Sequence, residues 1–419
     1  MTHSPKSSTR LLVAFLGGAS LAALSFAASA QTLSGAQTVT QTFSAADLNV
    51  ATDATFSVTT LTGNAIDLTS TNSLIFTDNY QSVINGVDMG IYAVNSGTGA
   101  LSLTSTGTVT GTGTNGSGIY AANFGTGALS ITSTGAVTAT GASGIGINAY
   151  NYGTNLTVTS NNVTGGQDGI TALNYGSGAL SITSTGTATG VNGNGISATN
   201  SGTDLTVTAN NATANYSGIY AYNSGTGALS ITSTGTLTSS NGDGIYAINF
   251  GTNFTVTSNN VTGSRFGIYA INFGTTNLTV TSNNVTGAGY GIAAVNIGTG
   301  ALSINSTGTA TATNGHGIYA LNSSFGTNLT VTSNNATGFG SGINATNSGT
   351  GALSITSTGT ATATGANGYG ILARNYGSGA LSITSTGTAT STGVNGYGIY
   401  AVNKTRAISL TVSGTVTGG

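Results

Sequence analysis

Charge is the first thing this sequence does without. Only 3% of its 419 residues are charged, against roughly 25% in ordinary globular domains. All eight acids are Asp, and Lys and Arg together number six. With 38% of residues apolar, the chain is not of the weakly hydrophobic, highly charged kind that stays disordered. Cys is missing, so no disulfide can staple the fold. Trp is missing too, and a single Pro rules out a collagen helix in spite of 67 Gly. Without Glu and almost without Lys, the chain lacks the strong helix formers, while Gly, Thr, Ser and Asn dominate; a helical repeat is excluded.

What is present begins with a leader. Lys6 and Arg10 precede the apolar run LLVAFLGGASLAALSFA, and Ala28-Ser29-Ala30 stands before Gln31. This is the order of a secretory signal peptide over residues 1–30, with cleavage between Ala30 and Gln31. A retained N-terminal anchor is the competing reading; the glycines that break the run and the A-x-A site favour cleavage. Four basic residues then remain (Arg265, Arg374, Lys404 and Arg406) against all eight Asp, a net charge of −4. That is too little positive charge, too widely spread, for phosphate backbones, so nucleic acid is not an expected partner.

The rest says one thing many times. GIYAYNSGTGALSITSTG at Gly218–Gly235 nearly repeats GIYAANFGTGALSITSTG at Gly118–Gly135. The Gly of each GI pair falls at Gly90, Gly118, Gly146, Gly169, Gly195, Gly218, Gly244, Gly267, Gly291, Gly317, Gly342, Gly370 and Gly398, spaced 23–28 residues apart. Each unit holds three short segments of period-two alternation, as half-buried strands do. The first is G-I-x-A-x-N, the second L-[ST]-[IV]-T as at Leu229–Thr232, the third T-[VA]-T or N-[VA]-T. Three strands and three turns in such a span describe one coil of an all-β parallel β-helix, a β-solenoid of about thirteen coils. Identical residues then stack about 4.8 Å apart along the axis, and like charges stacked so closely would repel, which accounts for their scarcity. No coil buries enough alone to offset the ordering of its own residues, so stability has to be cooperative.

The sixth place of the first segment is Asn in every unit: Asn95, Asn123, Asn151, Asn174, Asn200, Asn223, Asn249, Asn272, Asn296, Asn322, Asn347, Asn375 and Asn403. It shares the core-facing parity of the Ile and Ala. A buried amide must be hydrogen-bonded, and a structural ladder from coil to coil is the expected solution; a row of ligand-binding amides is the functional alternative. Residues 31–89 follow the pattern loosely and are expected to form an N-terminal cap, with the repeats over residues 90–419. The last unit stops partway, and an uncovered β-helix end is an open edge, so the chain is expected to continue beyond Gly419.

The signal peptide and the GIYAxN…GALSITSTGT wording over Gly90–Gly419 resemble the passenger regions of bacterial autotransporters. The resemblance implies a β-helical rod displayed at or released from the surface of a Gram-negative bacterium, often an adhesin. Its partners would be a host-cell or matrix glycan or protein, or its own copies on other cells. Such proteins end in a membrane β-barrel, for which no segment is present in these 419 residues, and no membrane span is expected after the leader.

Catalysis finds little to work with: past the leader there is one His, no Cys and no Glu, so nucleophile, base and orienter do not assemble. No enzyme activity, cofactor or metal is expected. GGQDG at Gly165–Gly169 is a lone partial match to a calcium-solenoid turn. His316 occupies the place before the GI glycine, which elsewhere holds Ser117, Asp168 and Asp243, and reads as a solvent-facing turn residue. That place becomes aromatic towards the C-terminus, as Phe266, Tyr290, His316, Tyr369 and Tyr397. These five are the candidate adhesive stripe; the plainer account is that aromatics suit β surfaces and stack on one another. The alternative function is binding to ice or another crystal surface through Thr ladders. The outward pair of the second strand is [ST]-x-T in nearly every unit, with Asn305 and Ser413 replacing the final Thr, although Thr is also a natural strand filler.

Overall fold

The structure is a computed structural model that describes residues 30–419; the expected signal peptide, apart from Ala30, lies outside the described residues. From Gln31 onward the chain winds as a parallel β-solenoid of about fifteen coils, with no helix among the described residues. The first side of each coil is the strand of G-I-x-A-x-N, such as Ile219–Asn223, which pairs in parallel with Ile196–Asn200 before it and Ile245–Asn249 after it. Its Ile, Ala and Asn point inward and are fully buried, while Tyr220 and Tyr222 face out. On the second side Leu229 and Ile231 are fully buried and Ser230 and Thr232 point outward. Period-two alternation therefore sets the cross-section, and stacking makes the core a set of continuous ladders.

The coil count exceeds the thirteen of the repeat because residues 31–89 wind as well. The Ile column runs back through Ile66, paired with Ile91, to Gln41, paired with Ile66. These two extra coils keep the parity while changing the letters: Leu68 stands in the Ala column and Ser70 in the Asn column. Leu48, Val50, Phe56, Val58, Leu74 and Phe76 continue the core without a break. The expected three separate strands also need correction. In the middle coils the second and third sides are one strand, as in Leu180–Gly190 or Leu229–Ser239, bent at a corner where the register shifts, between Ser184 and Thr187 in the first case. In the last coil Leu381 pairs with Ile408 and Thr384 with Thr411. The outward place is thus Thr411, and Ser413 lies past the strand; the turn Lys404–Ala407 is one residue shorter than Tyr376–Ala380, and the segment in register, Ile408–Thr411, starts two residues before Leu410, which leaves the parity unchanged.

The Asn column closes as a hydrogen-bonded ladder. Asn223 donates one amide N–H to Asn249 Oδ1 (3.0 Å) and the other to the Gly227 carbonyl (3.1 Å). Asn249 does the same to Asn272 Oδ1 (3.1 Å) and the Thr252 carbonyl. The link recurs from Asn95 to Asn123 (3.1 Å) and onward to Asn375 and Asn403 (3.3 Å). Each amide thus holds its own turn and the next coil together. The GI glycine has an equally local cause: a Cβ on Gly118 would lie 2.4 Å from Val137 Cγ1 and 2.8 Å from the Gly146 carbonyl oxygen. Only a residue without a side chain lets the first side approach the third so closely.

Candidate binding surface

Two kinds of outer face result. The first side and its two corners carry the rings; the second and third sides carry Thr, Ser and Asn. In the candidate stripe Phe266 stacks on Tyr290 (ring centroids 5.1 Å apart, 16° between planes) and Tyr290 on His316 (5.5 Å, 14°). The next coil places Ser341 under His316, and only the coil after that brings Tyr369, which stacks on Tyr397 (5.9 Å, 10°). The stripe is therefore two blocks, Phe266–Tyr290–His316 and Tyr369–Tyr397, divided by a fully buried serine.

His316 is not the solvent-facing residue its slot suggested. The slot is a corner, and the His316 ring lies over Gly340 of the next coil, where a Cβ would stand 2.9 Å from its Cε1. His316 is half-buried, lies against Tyr319 (5.9 Å), and its Nε2 pairs with the Asn344 amide (2.9 Å). Its Nδ1 is buried with no hydrogen-bond partner. Burial, helped by the charge of Arg374, holds its pKa below the usual imidazole value. The same correction applies to Asp243, which is 1% exposed. Arg265 grips it with a guanidinium fork, Nε to Oδ1 at 2.9 Å and a second contact from Nη2 to Oδ2, and the Phe266 N–H adds a third bond. The hydrogen bond to Asp243 raises the Arg265 pKa. Arg265 also covers the Phe266 ring at 5.0 Å and the Tyr246 ring at 5.9 Å. Asp168 binds the Thr171 hydroxyl (2.9 Å) and the Asn194 N–H (2.6 Å), the work of a turn-forming carboxylate. Among the described residues no three metal-ligating side chains come together.

A second row follows the Asn column: Phe124, Tyr152 and Tyr175 stack in sequence (5.5 and 5.2 Å), and Phe250 stacks on Phe273 at 4.8 Å and 6°. Ser201 and Ser224 fill the interval, their hydroxyls 3.3 Å apart. A third row lies on the first side itself, where Tyr92 stacks on Tyr120 and Tyr246 on Tyr269. Most of the consecutive rings turn their faces to each other and so meet solvent mainly with their edges, whereas Tyr220 and Tyr246 meet edge to face (5.6 Å, 65°).

The Thr faces are more regular than the aromatic one. On the third side Thr110 pairs with Thr138, and the column continues through Thr164, Thr189, Thr213 and Thr238 to Thr390 and Thr417 without a substitution. On the second side Thr132, Thr159 and Thr183 stand in one column, which Asn305 alone interrupts.

One functional-looking group escaped the sequence reading. Asp78 is fully buried in the second coil and receives five hydrogen bonds, from the hydroxyls of Thr52, Ser82 and Ser105 and the N–H groups of Tyr80 and Gly107. Burial works to raise its pKa, but these donors outweigh it, and the carboxyl sits below its ordinary value. Its signal lay in the register, which sets Asp78 at the head of an inward Ser column beginning with Ser105; the divergent wording of that coil concealed it.

No protein-family model, no curated protein and no solved structure matches this chain.

Proposed function

We propose that this chain is an exported, non-catalytic rod of the autotransporter-passenger type. It is held at the surface of a Gram-negative bacterium or released from it. There it acts by adhesion, to a host-cell or matrix glycan or protein or to its own copies on neighbouring cells. The observation that carries this reading is the unbroken ladder of about fifteen coils presenting the same uncharged side chains again and again. Repetition of this kind generates length and surface, on the order of 70 Å of rod at about 4.8 Å per coil. It does not generate the convergence of unlike groups that chemistry needs. The leader and the passenger-like wording support the route. Fractionation and protease shaving of intact producing cells test it. The chain is expected outside the inner membrane, beginning at Gln31 by mass spectrometry, and its deletion is expected to reduce attachment to cells or matrix, or aggregation. An intact Met1 on chain confined to the cytoplasm would defeat export; unchanged attachment and aggregation would defeat adhesion.

The unbroken Thr column favours a second reading, in which the flat Thr faces bind ice or another crystal surface. Thermal hysteresis by the purified rod, abolished by lysine substitutions at Thr132, Thr159 and Thr183, would place this reading first. A rod without effect on ice growth would remove it.

A further inference from the structure

A ring inside a stack has both faces covered; a ring at the end of a stack keeps one. Such an end is where a flat ligand can lie. Tyr92 is one: its ring is 5.3 Å from Tyr120 and 7° from parallel on one side, while on the other the column holds Asp67 rather than a ring. Beside it lies an open depression of about 380 Å³, lined by Asn64, Asp88, Met89, Tyr92 and the turn Gly113–Gly116. Glycine shapes this turn, since a Cβ on Gly116 would sit 2.1 Å from the Asp88 carbonyl oxygen. Asp88, Thr114 and Asn115 are exposed along the rim, and the side-chain amide of Asn64 makes only a long 3.4 Å bond to Asp67.

We propose that this depression is a saccharide subsite, in which a pyranose ring lies on the free face of Tyr92 and its hydroxyls donate to Asp88 and Asp67. Asn64, Thr114 and Asn115 bond the remaining hydroxyls. A sugar ring combines an apolar C–H face with a rim of donors, which matches an aromatic platform bordered by carboxylates and amides. The two acids set the charge class: a neutral or amino sugar is accepted, and a uronic or sialic acid is repelled. Asp67 is short of donors, and burial pushes its carboxyl above the ordinary value. At one corresponding place on the rod the opening is covered. Arg265 stands to Tyr246 as Asp88 stands to Asp67, and there the guanidinium lies over the ring and is tied to Asp243.

The inference rests on the adhesive reading and is tested apart from it. The purified full chain is applied to immobilised neutral, amino and uronic oligosaccharides beside Tyr92→Ala, Asp88→Asn and Tyr152→Ala. Retention on at least one neutral or amino oligosaccharide is expected. Tyr92→Ala should weaken it about tenfold, and Asp88→Asn, at an exposed place that cannot unfold the rod, should weaken it as well. Tyr152→Ala, whose ring is stacked on both faces, should bind like the wild type. Absence of retention on every neutral and amino sugar, preference for uronic sugars, loss of binding in EDTA, or equal retention by Tyr92→Ala would overturn the subsite. Cells that adhere equally well with Tyr92→Ala would sink the subsite and leave adhesion standing. Sugar binding by the purified chain without cell attachment would do the reverse.

Discussion

At the scale of single residues, His316 is the place where pH enters. It is the one imidazole among the described residues, and no carboxylate offsets its charge; its neighbours are Tyr290, Tyr319, Asn344 and Arg374. Its folded pKa is depressed, so the unfolded chain takes up the proton first. Stability is therefore full at neutral pH, starts to fall as the pH drops through about 6.5, the unfolded value, and levels off below the folded pKa. Urea midpoints at pH 7.5 and 5.5 are expected to show this loss in the wild type. His316→Phe, which keeps the stack and removes the titration, should abolish it; an equal loss in the variant would assign the effect elsewhere. The residue also marks a limit of sequence reading. A tally of what the slot accepts (Ser, Asp, Tyr, His) suggested solvent. The actual environment depends on the residue one coil away, Asn344 here, which a single unit does not contain.

At the scale of the element, two inward polar columns behave oppositely. The Asn amides are satisfied from both sides, so removing one orphans its neighbours. Asn249→Ala strands the Asn223 amide N–H, the Gly251 N–H and the turn carbonyl of Thr252, and leaves Asn272 Oδ1 with the Gly274 N–H alone. About 1–3 kcal/mol for each buried group left unpaired makes this a severe loss. The Ser column at the corner of the second and third sides is different: the hydroxyls of Ser282, Ser306, Ser333 and Ser357 are buried without partners, and Ala209 already occupies the same column. Ser333→Ala is expected to leave the thermal midpoint unchanged or raise it, whereas Asn249→Ala lowers it clearly. Similar effects from both would mean that the amide ladder is not what holds the coils in register. The strands themselves were legible because stacking repeats one alternation thirteen times, so Ile219, Ala221 and Asn223 could be sided from the pattern alone. The two coils before Gly90 were not, because Leu68 and Ser70 keep the parity but not the letters, and pairing rather than wording defines a coil. The break of the aromatic stripe at Ser341 was equally hidden, since a list of aromatic positions does not show the coil between them.

At the scale of the whole molecule, the strands of each coil pair only with those of the coils above and below, and this makes the response to damage local. Ile219 sits in the eighth of about fifteen coils, fully buried between Ile196 and Ile245. Ile219→Asp places a carboxylate among Ile, Leu and Ala side chains with no donor on that ladder, at a cost of several kcal/mol. In a globular core such a cost is shared by the whole domain. In a stack with nearest-neighbour contacts it is carried by the mutated coil and the two interfaces it makes, while distant coils keep their own ladders. Hydrogen exchange read by mass spectrometry is expected to show protection lost around residues 196–249. Protection should persist in the strands Ile119–Asn123 and Ser341–Asn347, the first before and the second beyond the lesion. A protease should then cut the rod near its middle and leave two resistant pieces. Uniform loss of protection from end to end would show that the ladders couple the rod into one cooperative unit, and the nearest-neighbour account would have to be given up. Unchanged exchange around Ile219 would contradict the burial on which the fold rests.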